Sequence, residues 1–399
     1  MSKDRIYQKL LSGKHFLLCI QCFLAWCVCL GQEESLNTLD LYQTDGLVNC
    51  RFSLLDQGDS LWVYAELDFK QSVEDSSLWI ETSWILSNQM IQDSTLLLLE
   101  DNERRSIMKW GFTPRTVPGL FTLSLNWKAR TWTFQEHFPI SAFHPSGGVS
   151  LKYRSNSLST WVHNHDSVLI NTAGNKMVFT YFYNHEFDPA RPPMTLRAGK
   201  GSSTLEIDTI LVLTPGQNFA LSEPGLYFFQ TDSSSTLGAA LFVSGKHFPQ
   251  PQDIKELTEP LIYITTKGEY QKISKDLTNK QALDKFWLST VGSPEKARRA
   301  IKHFYHNIEV ANILFTSYKE GWKTDRGMIY TVMGPPLSVV KEYKTETWSY
   351  RDKANQEINF IFKKIRNIFS NNHYELLRDK SYDRQWFLAI DRWREGQTK

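Results

Sequence analysis

The stretch Gly321-Trp322-Lys323-Thr324-Asp325-Arg326-Gly327-Met328-Ile329-Tyr330, closed by Gly334-Pro335-Pro336, lies where the sequence pattern changes from helix to strand. Before it, apolar residues recur at steps of four and three from Ala297 to Tyr318, which predicts one long helix over residues 294–320. Gly321 is then the predicted C-cap of that helix. After it, Met328–Met333 is rich in β-branched and aromatic residues and predicts a strand. The stretch is therefore predicted to be the corner between a helix and a small sheet.

The side chains of this stretch suit a corner. The ring of Trp322 is expected to bury itself against whatever the helix packs on. Thr324 and Asp325 carry short acceptors that bind nearby main-chain N–H groups and fix turns. Gly327 permits a close approach of main chains. We therefore predict a structural role for these residues, to which Asp325 and Arg326 add charges that could pair elsewhere.

Residues 32–145 read as strands. The apolar side chains of Leu61–Phe69 alternate with polar ones, which indicates a half-buried strand. Phe121–Trp127 and Trp132–Phe138 repeat that pattern. Strands separated by turn residues predict an antiparallel β-sandwich, and His144–Gly148 marks its end.

A second β-rich block follows over residues 146–250. Lys176–Tyr183 and Leu205–Leu213 are predicted strands, and Gly225–Gln230 and Gly238–Val243 are predicted to form a hairpin. The block is predicted to be a second β-sandwich; one sheet system spanning both blocks is the alternative.

From residue 251 onward the pattern becomes helical. Thr266 with Glu269, and Thr278 with Gln281, have the spacing of a capping box. Ser293-Pro294-Glu295 combines an N-cap, a proline at the first helical position and an acid near the positive end of the helix dipole. The remaining predicted elements are the strands Glu346–Tyr350 and Glu357–Lys363 and a helix within Tyr382–Trp393.

The amino terminus predicts export. Basic residues between Lys3 and Lys14 precede the apolar run His15–Leu30, which is shorter than the roughly 20 residues of a membrane-spanning helix. Cys29 and Gly31 are small residues at the positions that favour cleavage before Gln32. We expect a signal peptide over residues 1–31, with an uncleaved or lipid-linked anchor as the alternative.

Loss of residues 1–31 would remove four basic residues and one acid, which changes the formal charge from +2 to −1. A nearly neutral chain gives no indication of nucleic-acid binding. The same loss would remove four of the five cysteines and leave Cys50, which is predicted to be a buried apolar residue.

Gly321, Trp322, Thr324 and Asp325 also resemble the name-giving motif of the GWxTD domain. Gly327, Tyr330 and Gly334-Pro335-Pro336 resemble the continuation of that motif, and Trp348 and Tyr350 resemble its aromatic strands. The resemblance covers roughly residues 255–399. It implies an exported cell-envelope protein of a kind typical of Bacteroidetes, and it implies no established activity.

Few residues suggest chemistry. His163 and His165 would face the same side of a strand and could share a metal ion, with His185 completing the site; a solvent-exposed strand end is the alternative. Gly199–Thr204 lacks the order of a phosphate-binding loop and is predicted to be a hairpin loop. Asp325 could act as a base only with a cleft and a partner group beside it.

The sequence thus predicts a mainly β chain with a carboxyl-terminal α+β domain over residues 251–399, preceded by two antiparallel β-sandwich-like domains. We expect a non-catalytic protein of the periplasm or outer-membrane-associated envelope. It should bind an envelope protein, with no cofactor and no nucleic acid. The alternative is a periplasmic enzyme with an unrecognised metal or carboxylate site.

Overall fold

Two four-stranded antiparallel sheets share one apolar core over residues 48–138 of the computed structural model. Their strand orders are β1-β2-β6-β5 and β4-β3-β7-β8. Val63 and Trp110 of the first sheet meet Leu123 and Phe134 of the second, and all four are buried. The strands are β1 (Val48–Asp56), β2 (Leu61–Phe69), β3 (Trp79–Leu86), β4 (Gln89–Ile91), β5 (Thr95–Asn102), β6 (Arg105–Phe112), β7 (Gly119–Trp127) and β8 (Arg130–Phe138).

The structure describes the chain with gaps. The predicted signal peptide, most of the Gly199–Thr204 loop and Thr278 lie outside the described residues. The described ranges are 38–44, 46–56, 61–72, 78–86, 89–91, 95–102, 104–112, 119–127, 130–138, 147–153, 159–196, 204–275, 280–342, 344–352 and 355–397.

A second sandwich follows, with strand orders β10-β16-β15-β12-β13 and β14-β11-β9. Val149, Ile170, Phe229 and Val243 form part of the core between its two sheets. The pairing is antiparallel throughout except between β10 and β16. The strands are β9 (Val149–Tyr153), β10 (Trp161–His163), β11 (Ser167–Thr172), β12 (Val178–Tyr183), β13 (Thr209–Leu213), β14 (Gln217–Ala220), β15 (Gly225–Gln230) and β16 (Ala239–Ser244).

The predicted hairpin is confirmed, because β15 and β16 pair directly. The strand predicted from Leu205 begins only at Thr209. At Asp208 the main-chain N–H reaches the Phe182 oxygen, while the carboxylate accepts the Asn184 N–H at 2.7 Å. The Asp208 carboxylate thus binds the Asn184 N–H, a main-chain donor that would otherwise be available to extend the pairing of β12 with β13.

The carboxyl-terminal part packs helices against a four-stranded antiparallel sheet of order β17-β18-β19-β20. One core joins them, with Phe304, Ile329, Trp348, Phe360 and Trp386 among its members. The elements are α1 (Ile254–Thr258), α2 (Lys267–Ile273), α3 (Lys280–Val291), α4 (Pro294–Phe315), α5 (Asp325–Met333), β17 (Ser338–Lys341), β18 (Thr345–Arg351), β19 (Glu357–Lys364), β20 (Tyr374–Leu376) and α6 (Asp383–Arg394).

The starts of two helices agree with the sequence. Thr266 and Glu269 form the predicted capping box of α2, and Ser293 caps α4 with Pro294 at its first position. With strand residues outnumbering helical ones (37% against 29%), the predicted mainly β fold with a helix-plus-sheet end is confirmed. Among the described residues, no helix is both long and apolar enough to cross a bilayer.

Two predictions at the corner are wrong. The helix predicted over residues 294–320 ends at Phe315, because Thr316 is extended and its Oγ1 accepts the Gly321 N–H at 2.9 Å. The strand predicted over Met328–Met333 is helix α5, whose residues are all buried. The part of α5 from Met328 to Met333 is surrounded by core and is mostly apolar, so its sequence resembles that of a buried strand.

Candidate functional site

Two glycines allow three main-chain segments to meet at the corner. A Cβ on Gly321 would lie 2.0 Å from the Ala311 oxygen in α4, and one on Gly327 would lie 1.9 Å from the Gly321 oxygen. The atoms in the way are main-chain atoms, which cannot turn aside as a side chain can. The sequence suggested that Gly321 is the C-cap of α4, and this prediction is wrong. Gly321 is instead the point where the chain passes directly over α4.

Thr324 fixes the start of α5. Its Oγ1 accepts the Gly327 N–H at 3.0 Å as an N-cap and donates to the Gly321 oxygen at 2.7 Å. An N-cap satisfies a donor that has no partner within the helix. The turn-forming role predicted for Thr324 thus takes the form of a helix cap that also holds the glycine corner.

Trp322 lies in the core with 5% of its surface exposed. Its ring packs edge-on against Tyr263 at 5.9 Å between centroids, and its main-chain oxygen accepts the Tyr263 hydroxyl. The Trp322 N–H donates to Asn312 Oδ1 at 3.2 Å, and the other end of that amide donates to the Pro249 oxygen. Asn312 therefore links α4, the corner and the end of the second sandwich.

Asp325 is buried, and both of its carboxylate oxygens are bound. Oδ2 accepts the Leu376 N–H at 2.7 Å, and both oxygens accept hydrogen bonds from the Arg378 guanidinium. Arg378 also donates to the Arg191 oxygen. The carboxylate thus joins α5 to β20 and, through Arg378, to the segment between β12 and β13. This geometry does not support its use as a general base.

Arg326 forms a buried ion pair with Glu346 of β18 at 3.3 Å. Their side chains are 4% and 0% exposed, and Glu346 also accepts the Trp348 indole N–H at 2.6 Å. The guanidinium lies over the Tyr374 ring and donates to the Asn372 oxygen. Burial is the largest single influence and would lower the pKa of Arg326, but the Glu346 carboxylate together with Tyr42, Tyr374 and Glu136 raises it above its usual value.

The end of the corner is equally well packed. Gly334 has φ +78° and ends α5 with a hydrogen bond to the Tyr330 oxygen. Its own oxygen accepts the Tyr350 hydroxyl at 2.9 Å. Tyr330 packs edge-on against Trp348. Of the two prolines that follow, Pro335 is exposed and Pro336 is buried.

A further, partly buried ion pair links the first sandwich to the carboxyl-terminal sheet. Lys341 of β17 binds Glu136 of β8, and nearby the Thr38 N–H donates to the Val339 oxygen at 2.6 Å. Burial by itself would raise the pKa of Glu136, but the charges of Lys341 and Lys364 hold it below its usual value. The pair therefore stays ionised although it lies between two modules.

The amine of Lys319, just before the corner, is partly buried. Lys319 donates to the Asp188 oxygen at 3.0 Å, and burial lowers the pKa of its amine to about 8. The neighbouring Tyr318 ring contacts Phe187, Phe369 and His373. Lys319 thus holds the segment after β12 against the corner.

The structure does not assemble the three histidines. His163 ends β10 and donates from Nε2 to the Phe248 oxygen at 2.6 Å. His165 lies in the following turn with φ +67°, and the ring of His185 packs edge-on against Phe187. Within the described ranges, no three His, Cys, Asp or Glu residues are placed to hold a metal ion. The period-two argument failed because the strand ends before His165.

Several residues that complete the corner were not predicted. Glu346 had a usable signal, since it alternates with Trp348 and Tyr350 and so lies on their buried face. The contacts of Asn312 and Arg378 gave no signal in the sequence, because their partners Trp322 and Asp325 are 10 and 53 residues away along the chain.

The described chain thus consists of two β-sandwiches followed by a helix-and-sheet domain organised around a Gly-Trp-x-Thr-Asp corner. Residues 225–395 match the family model described as the GWxTD domain, so the chain carries a GWxTD domain. The match begins at the first residue of β15, inside the second sandwich. No curated protein matches the chain.

Proposed function

We propose that this is an exported, non-catalytic protein of the cell envelope that binds or presents another envelope protein. The supporting observation is that the motif's polar side chains are occupied by the fold itself. Asp325 is bound by Arg378 and by the Leu376 N–H. Arg326 is paired with Glu346, and the Thr324 hydroxyl donates to the Gly321 oxygen. A catalytic group needs a reactive atom within reach of substrate.

The modular layout supports binding. Three modules are joined by polar links: the Lys341–Glu136 ion pair on one side, and contacts of Asn312 and Arg378 on the other. Such links favour a fixed arrangement of the modules, which suits a scaffold that presents surfaces to a partner. The basic residues and apolar run at the amino terminus support export to the envelope.

Export is tested by fractionating cells that express the full chain with a carboxyl-terminal tag. We expect the tagged protein in the envelope or periplasm, with Gln32 as the first residue by mass spectrometry. Leu24→Arg, which places a charge in the apolar run, should keep the protein inside the cell, while Leu10→Arg, before the run, should not. A wild-type chain retained inside the cell would refute the export proposal.

Binding is tested by cross-linking in intact cells followed by quantitative mass spectrometry of the tagged chain. The retained Leu24→Arg variant is the control, because it carries every folded surface but does not meet envelope proteins. We expect at least one envelope protein to be enriched with the exported chain alone. No enrichment over the retained variant would count against the proposal, and release of a modified small molecule by the purified protein would favour an enzyme.

A further inference from the structure

Strand β13 forms one edge of the five-stranded sheet in the second sandwich. It pairs with β12 on one side, and no strand in the described part of the chain pairs with its other side. Ile210, Leu211 and Val212 are 57%, 41% and 56% exposed. Since successive side chains of a strand point to opposite faces, apolar groups are exposed on both faces of this edge.

Edge strands are usually protected against pairing by charges, prolines, bulges or a covering segment. Residues 209–213 of β13 contain no charged residue and no proline, and their register with β12 runs without a bulge. Alternate main-chain N–H and C=O groups of such a strand point away from its one neighbour. An unprotected apolar edge of this kind is a template for an added strand.

The sequence of β13 is complementary to a second β13 strand paired with it antiparallel. In an antiparallel pair of two β13 strands centred on Leu211, each Ile210 lies opposite Val212 and Leu211 lies opposite Leu211. The acids just before the strand avoid each other, because Asp208 falls opposite Thr214 and Glu206 opposite Gly216. A parallel pair in register would instead place each acid beside its own copy, which like-charge repulsion disfavours.

We propose that β13 pairs with β13 of a second copy of this chain, antiparallel and about a two-fold axis at Leu211. The two five-stranded sheets then form one continuous ten-stranded sheet. Such a contact is isologous, so it closes as a dimer and does not propagate into fibres. A five-residue edge buries less area than a standard stable interface, so the dimer is weak and forms with rising concentration.

The test measures the oligomeric state of the full chain by sedimentation over a range of concentrations. Wild-type protein is expected to shift from monomer to dimer. Leu211→Lys places two like charges opposite each other on the axis, and should raise the dimer dissociation constant at least about tenfold, a change that corresponds to about 1.4 kcal/mol. Leu388→Lys, at a 45% exposed position on α6, is the matched control and should dimerise like wild type.

A charge-swap experiment tests the register. Leu211→Glu alone should also be monomeric, but a mixture of Leu211→Lys and Leu211→Glu should form mixed dimers, because the axis places residue 211 opposite itself. Circular dichroism checks that each variant is folded. A wild-type monomer at every concentration, an unaffected Leu211→Lys dimer, or a mixture that stays monomeric would each overturn the proposal. None of these outcomes bears on export or on an envelope partner.

Discussion

Replacement of Gly327 by alanine tests the close contact at the centre of the corner. The new Cβ would lie 1.9 Å from the Gly321 oxygen and 2.6 Å from the Gly321 carbonyl carbon, whereas ordinary contacts begin at 3.4 Å. The two main-chain segments would have to separate by about 1.5 Å. Gly321 cannot retreat, because its own Cβ position is already 2.0 Å from the Ala311 oxygen.

The expected cost follows from these distances. Overpacking a well-packed core costs about 1–3 kcal/mol and occasionally more, and a clash between main chains belongs at the upper end of that range. Alanine regains about 1 kcal/mol of helix propensity inside α5. We expect Gly327→Ala to lower the free energy of unfolding by at least about 2 kcal/mol, a large share of the roughly 5–15 kcal/mol typical of a domain.

Urea unfolding followed by far-UV circular dichroism measures this change. In the described part of the chain, every α-helix lies between Ile254 and Arg394, so the helical signal reports on the carboxyl-terminal domain. Gly268→Ala in α2 is the matched control, since nothing lies within 4 Å of its Cβ position. It should leave stability unchanged or raise it by up to about 1 kcal/mol. If Gly327→Ala were as stable as the control, the corner would not depend on this contact.

Three further changes test the corner and its surroundings by the same urea assay. Trp322→Ala should cost about 3–5 kcal/mol, because it empties a fully packed site; a variant with unchanged stability that lost a partner would show the ring to be an interface residue. Glu346→Gln leaves Arg326 buried without a counter-charge and should cost about 3–5 kcal/mol, whereas Glu375→Gln, 56% exposed on β20, should cost little. Arg394 lowers the pKa of Glu269 to about 2 from 4.5. The folded pKa lies below the unfolded one, so this contribution is present above pH 4.5 and is lost as pH falls toward 2. Arg394→Gln should therefore reduce the loss of unfolding free energy between pH 4.5 and pH 2. The same loss in the variant as in wild type would contradict the role of Arg394 in lowering the pKa of Glu269.

The elements that sequence reasoning found share a local cause. Leu61–Phe69 alternates apolar and polar residues because one face of β2 lies on the core between two sheets. The capping box of α2 needs only Thr266 and Glu269, three residues apart. Signals that repeat over a few residues can be read without knowing what the element packs against.

The corner was misread because its causes are not local. Ile329, Tyr330 and Val332 favour a strand by propensity, but tertiary burial on all sides and the Thr324 cap make them a helix. Gly321 looks like a helix end because glycine is common there. Its real requirement, room for Ala311 on one side and Gly327 on the other, depends on segments that the sequence pattern does not bring together.

The same contacts change what the motif says about function. Each of its residues meets a need of the fold: Gly321 and Gly327 leave space for main chain, Thr324 caps a helix, and Asp325 binds the Leu376 N–H of β20. These structural requirements account for the residue types of the motif, and no contact with a substrate is needed to explain them. A working surface should instead be sought where the fold gives no reason for the residues it exposes. The apolar edge of β13 is such a place, since core packing would be served as well by polar side chains at Ile210 and Val212.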